Sequence, residues 1–212
     1  IIIIAAMAVG PDAGYLLLAT RALAAPLGLV GGAISQVFLS RAPNEARAGR
    51  LNIFTVEVIG GLAKSGVGPL IFIGFVASTL FPLIFGEKWG RAGELAAWMT
   101  PWFVMQFLAN PVSMVMHITG SQRVALMLQI FGFMLRVSAV GVAGVLMPKY
   151  IVEAYAISGF LFYLVHFIVV VKLSKIRANE LIDVAKASMP IVASWSAFGF
   201  FVLLGIQLIG KL

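Results

Sequence analysis

The side chains that could do chemistry in this sequence are few, and most lie inside apolar stretches. Arg136 stands twelve residues after Val124 and eleven before Met147, in a run with no other charge. At helical rise its backbone is roughly 17 Å from either end of that run. An arginine side chain reaches out about 6–7 Å, so snorkelling alone does not bring the guanidinium to water. Leaving it in lipid costs on the order of 2.5–3.5 kcal/mol on the mildest insertion scale. The residue therefore needs a partner on another helix or an aqueous cavity, and a substrate cavity is the favoured reading. Gln129 and Gly132 precede it on the same helical face.

A second pattern is Gln106, Asn110, Ser113 and His117, spaced by four, three and four residues. On a continuous helix these fall within about 60° of arc, as a polar stripe. Pro111 removes a backbone hydrogen bond beside it and predicts a kink. Such a stripe suits either a cavity wall or interhelical hydrogen bonding. Arg21, Gly28, Gly32 and Gln36 line one side of another apolar run that contains Pro26. Gly28 and Gly32 have the small-xxx-small spacing of close helix packing. His166 and Tyr155 share a face of a later run, where a packing role is favoured for the histidine. No acidic residue lies mid-run, because Glu57 precedes one apolar stretch and Glu153 begins another. An interior that is neutral to cationic favours anionic cargo.

Other chemistry is not expected. The chain has no cysteine, and it has no Gly-rich phosphate loop, no HExxH and no histidine–carboxylate set at metal spacing. Neither a metal nor a cofactor is implied, and no loop is long enough for a catalytic domain, so the chain is not read as an enzyme.

The elements that position these residues follow from composition. Of 212 residues 61% are hydrophobic and 11% charged, outside the range of soluble domains. The apolar residues gather in runs of about twenty, enough to cross about 30 Å of hydrocarbon as a helix. The runs predict an all-α, polytopic transmembrane bundle with seven spans near 1–10, 15–40, 66–86, 95–118, 124–147, 151–171 and 188–210. The first span is short and has no starting Met, so the chain is expected to be the C-terminal part of a longer protein. Residues 45–64 and 174–186 mix charges with apolar residues at helical spacing and are expected to lie on the membrane surface, with partner docking as the second reading.

Arg41, Arg47, Arg50, Arg123, Lys172, Lys175, Arg177 and Lys186 fall after the second, fourth and sixth spans. Only Lys88, Arg91, Lys149 and Lys211 fall on the other side. This asymmetry assigns the first group to the cytoplasm. It also explains the surplus of positive charge without nucleic acid.

Several short segments, taken in order, are similar to a known family. Gly14-Tyr15, Ala19-Thr20-Arg21, Pro26 and Ala33-Ile34-Ser35-Gln36-Val37-Phe38 resemble the early pattern of bacterial PST-type polysaccharide or lipopolysaccharide (O-antigen) flippases. These belong to the multidrug/oligosaccharidyl-lipid/polysaccharide exporter superfamily. Phe85-Gly86-Glu87-Lys88-Trp89 with Ala92, then Pro101, Pro111-Val112-Ser113 and Gly120-Ser121-Gln122-Arg123, continue the likeness over residues 1 to about 172.

The resemblance implies that residues 1–173 form the second, C-terminal lobe of a MATE-like fold, with its first helix clipped and the N-terminal half missing. Residues 174–212 would add a cytoplasmic amphipathic segment and one more transmembrane helix. It implies a multi-pass protein of the bacterial inner membrane that moves an undecaprenyl-pyrophosphate-linked oligosaccharide by alternating access, among membrane lipids and other polysaccharide-assembly proteins. Substrate-cavity candidates, assigned from helical faces, are Arg136, Gln106, Asn110, Ser113, His117 and Arg21. Two alternatives stand beside it, a MATE-type drug or cation exporter and a membrane-embedded glycan polymerase or ligase.

Overall fold

The computed structural model describes residues 12–209, and the expected span at 1–10 lies outside them. Among the described residues every regular element is helical. The helices are α1 (Asp12–Arg47), α2 (Leu51–Leu62), α3 (Gly68–Phe85), α4 (Gly90–Ala109), α5 (Val115–Ile118), α6 (Gln122–Leu146), α7 (Ile151–Leu173) and α8 (Ala178–Ile209). Four continuous segments, Leu51–Phe85, Gln122–Leu146, Pro148–Leu173 and Ala178–Leu208, are long and apolar enough to cross a membrane. α1 makes a fifth if its 43° bend between Ala25 and Leu27 lies within one span. That bend falls at Pro26, which has no N–H to continue the ladder. These spans, with Leu126, Met127, Phe133, Phe200 and Phe201 exposed on them, are compatible with a membrane protein.

The two expected surface helices are corrected. Residues 51–85 run as one 35-residue helical segment, in which α2 and α3 join through a π-helical stretch, Ala63–Val67. At about 1.5 Å per residue it is roughly 52 Å long, well beyond the hydrocarbon thickness. The amphipathic part therefore extends the spanning helix rather than lying across its mouth. Residues 178–186 likewise form the first turns of α8, and only the short link Ser174–Arg177 separates α7 from α8.

α4 is the hub. It packs against α1, α3 and α7, while α6 rests on the far side of α7 and α8 on the far side of α3. Small residues permit the closest of these approaches. A Cβ on Gly93 would come within 2.4 Å of the Ala77 carbonyl oxygen, and one on Gly74 within 2.5 Å of Thr100. The π-helical stretch is similarly tight, since a Cβ on Gly66 would meet the Phe107 ring. Surrounded in this way, α4 carries Arg91, Glu94, Thr100 and Gln106 without presenting all of them to lipid.

The core divides along the helix axes. One cluster joins Leu16, Leu23, Leu95, Met99, Trp102 and Val152. The other joins Phe38, Phe54, Val112, Met116, Val170 and Ile176. Beyond the second cluster the α1–α2, α5–α6 and α7–α8 junctions converge around one pocket. These are junctions that the charge pattern assigns to one side. At the opposite end Arg91 forms an ion pair with the buried Glu153 and another with Glu94 at 2.9 Å, tying α4 to α7.

At the start of α8 the Arg177 backbone N–H donates to Glu180 Oε2 at 2.8 Å and the guanidinium donates to Oε1 at 3.1 Å, the return half of a capping box. Glu180→Gln is expected to lower amide-exchange protection at Arg177, because a neutral amide oxygen accepts more weakly than a carboxylate.

Candidate functional site

Arg136 lies near the midpoint of α6 and is partly exposed. Its guanidinium carbon stands 5.3 Å from the Trp102 ring centre, 5.9 Å from that of Tyr155 and 5.2 Å from that of Phe162. Trp102 comes from α4, and the other two rings lie two turns apart on α7. Trp102 and Tyr155 also meet edge to face at 5.2 Å. The Tyr163 side chain lies beside both Arg136 and Asn110.

Two glycines admit two of the cage's three rings. A Cβ on Gly132 would lie 2.4 Å from the Phe162 ring, and one on Gly159 would lie 2.4 Å from the Trp102 ring. Gly132 is one turn before Arg136, so the ring lodged on it passes under the guanidinium. Each cation–ring contact is worth about 0.5–2 kcal/mol. Three together are comparable with the roughly 2.5–3.5 kcal/mol that a mid-membrane arginine costs on the mildest scale. No carboxylate is needed to hold the charge, and among the described residues none forms an ion pair with it.

Rings stabilise the charge but do not accept all of its hydrogen bonds. Arg136 Nε is buried with no hydrogen-bond partner among the described residues. The cage thus leaves one enclosed N–H donor of the guanidinium unpaired, a group of the kind that pairs with the oxygens of a phosphate or carboxylate.

The expected stripe on the fourth span is interrupted. α4 ends at Ala109, and after Pro111 the chain proceeds through tight turns, with Ser113 N–H bonded to the Asn110 carbonyl and Met116 N–H to that of Ser113, each at 3.1 Å. The 3.6-residue period stops there, so the four residues do not share one helical face. Gln106 and Asn110 remain together and line a groove of about 360 Å³ between α1 and α4, with Gly28, Gly31, Gly32 and Ser35 opposite. Gln106 Oε1 is buried there without a partner among the described residues. The Ser113 hydroxyl instead donates to the Asn110 carbonyl at 2.7 Å, and His117 is exposed on α5. Arg21 is exposed on α1 and is not among the residues around Arg136.

Gly28 and Gly32 are also corrected. An added Cβ at either would meet nothing within 4 Å, whereas Gly31 faces Phe107 and Pro111 at 3.8 Å. The spaced pair opens onto the groove rather than closing a helix contact among the described residues. Gln129 is exposed, while Gly132 is buried by Phe162, so the expected stripe on α6 divides. His166 is buried between the rings of Phe162 and Tyr163, at 5.7 and 5.8 Å.

On the other flank of the cage a mainly apolar cleft of about 990 Å³ lies between α4, α6 and α7, lined by Trp98, Leu135, Val142, Ile157 and Leu161, with Arg91 and Glu153 at one end. The cage rings were missed in the sequence reading. The seven-residue spacing of Tyr155 and Phe162 and the glycine one turn before Arg136 were the available signals. Comparison with known proteins gives no matching family, no matching curated sequence and no matching solved structure.

Gly159→Ala and Gly132→Ala are each expected to destabilise the protein by about 1–3 kcal/mol through overpacking, read as a lower unfolding temperature in detergent. Gly28→Ala, which meets nothing, is expected to leave that temperature unchanged or to raise it slightly, in line with helix propensity.

Proposed function

We propose that this chain is one lobe of a transporter that moves a lipid-linked oligosaccharide across the bacterial inner membrane, with Arg136 receiving the phosphate-bearing part of the cargo. The observation that carries this reading is a caged guanidinium at mid-helix with an unused N–H donor and no carboxylate partner among the described residues. Two further features support it. The groove holding Gln106 and Asn110 offers polar contacts to sugar hydroxyls. The apolar cleft behind Leu135, next in sequence to Arg136, offers room for an isoprenoid chain. A polar groove and an apolar cleft flanking one cation match an amphiphile with an anionic junction.

The order of motifs that resembles the PST-type flippases supports the same reading. In it α1, the α2–α3 segment, α4, α6 and α7 would be five helices of a MATE-like six-helix lobe, with α8 an addition on the flank of α3. A cation exporter would call for a free membrane carboxylate. The one buried carboxylate among the described residues, Glu153, is already paired with Arg91.

In cells that depend on this protein for surface polysaccharide, Arg136→Ala is expected to abolish the polymer while membrane levels of the protein stay normal. Arg136→Lys keeps the charge but loses the planar fork, and is expected to export at a reduced rate. Normal export by Arg136→Ala would overturn the proposal.

A further inference from the structure

The basic end of the bundle contains a second polar site, independent of Arg136 and of the transport reading. There the α1–α2, α5–α6 and α7–α8 junctions enclose a pocket of about 450 Å³, lined by Gly49, Leu51, Asn52, Thr119, Ser174 and Lys175 among others.

Three observations bear on its chemistry. The pocket includes the N-terminus of the twelve-residue helix α2, which has no side-chain cap. The first intrahelical bond there is from Phe54 N–H to the Arg50 carbonyl at 3.1 Å. The N–H groups of Leu51, Asn52 and Ile53 therefore have no acceptor within the helix, and the helix dipole adds partial positive charge. Ser174 is 3% exposed, yet its hydroxyl has no hydrogen-bond partner among the described residues. A buried hydroxyl is rarely left so without a ligand or water to meet it.

Lys175 supplies the third. It is the one non-glycine residue with positive φ among the described residues, at 57°. It occupies the left-handed position that closes α7, where Ile176 N–H returns to the Val171 carbonyl at 3.1 Å. Glycine is the usual residue there, and a side chain at this position costs about 1–2 kcal/mol. A lysine that bears this cost at the rim of a polar pocket has a use for its ammonium. Nearby cations are already engaged, Arg50 by Glu45 at 3.0 Å and Arg47 by Asn44 at 2.6 Å.

We infer that this pocket binds a phosphate group, held by the free N–H groups of α2, the Ser174 hydroxyl and the Lys175 ammonium. The phosphate can belong to an anionic lipid headgroup or to a soluble phosphate ester, since the pocket lies at the end of the bundle where basic sites meet the membrane surface.

The test uses purified protein in neutral maltoside micelles and follows thermal unfolding while phosphatidylglycerol, phosphatidylcholine or glycerol 3-phosphate is added. Phosphatidylglycerol is expected to raise the unfolding temperature. Lys175→Gly, which relieves the backbone and should fold at least as well, is expected to require about tenfold more lipid for the same effect, the loss of one charged hydrogen bond. Ser174→Ala is expected to shift the response in the same direction, while Lys172→Gln, outside the pocket, leaves it unchanged. A response to phosphatidylglycerol alone identifies a lipid headgroup, and a response to glycerol 3-phosphate as well identifies a soluble ester. No response to either overturns the inference. So do an equal response to phosphatidylcholine, an unaltered midpoint in Lys175→Gly, and an equal loss in Lys172→Gln.

Discussion

A charge in the middle of an apolar bundle has to be compensated by something, and here aromatic faces do it. The guanidinium of Arg136 sits among Trp102, Tyr155 and Phe162 at 5.2–5.9 Å. Phe162 and Trp102 are admitted by the missing side chains of Gly132 and Gly159. Helices α4, α6 and α7 are therefore held at separations set by two hydrogen atoms where methyl groups would otherwise be. An ion pair would have neutralised the charge and consumed its donors. A ring cage lowers the cost of the charge and leaves Arg136 Nε without a hydrogen-bond partner among the described residues.

The rest of the bundle is organised around that arrangement. α4 supplies Trp102 to the cage and Gln106 to the groove on its other side, and it can carry polar residues because α1, α3 and α7 surround it. The Arg91–Glu153 ion pair fixes α4 to α7 at one end of the cage, and the edge-to-face contact of Trp102 with Tyr155 fixes them within it. Charge is concentrated at the other end, where three helix junctions meet. Apolar side chains on α6 and α8 are left exposed, as expected for surfaces solvated by lipid.

Of the seven expected spans, four fall within continuous membrane-length helices among the described residues, and these were legible in the sequence because hydropathy is a local property. Two boundaries were not. The sequence divides a surface segment at 45–64 from a span at 66–86, yet the helix continues through that boundary by widening to a π turn around Phe107. The run through Asn110-Pro111 reads as one kinked helix, yet it tightens into turns that rotate Ser113 and His117 off the stripe. The depth of Arg136 was legible, but its environment was not. Trp102 is thirty-four residues away in the chain, and only the close approach of α4 to α7 at Gly159 brings its ring over the cation.

The most direct measurement is the Nε–Hε resonance of Arg136 in nitrogen-labelled protein in nanodiscs, assigned by its loss in Arg136→Lys and followed as undecaprenyl pyrophosphate is added. An available donor predicts a saturable shift of that resonance, with the remaining arginine signals largely unmoved. A resonance that stays in place at saturating lipid would mean that the cage is a closed structural lock.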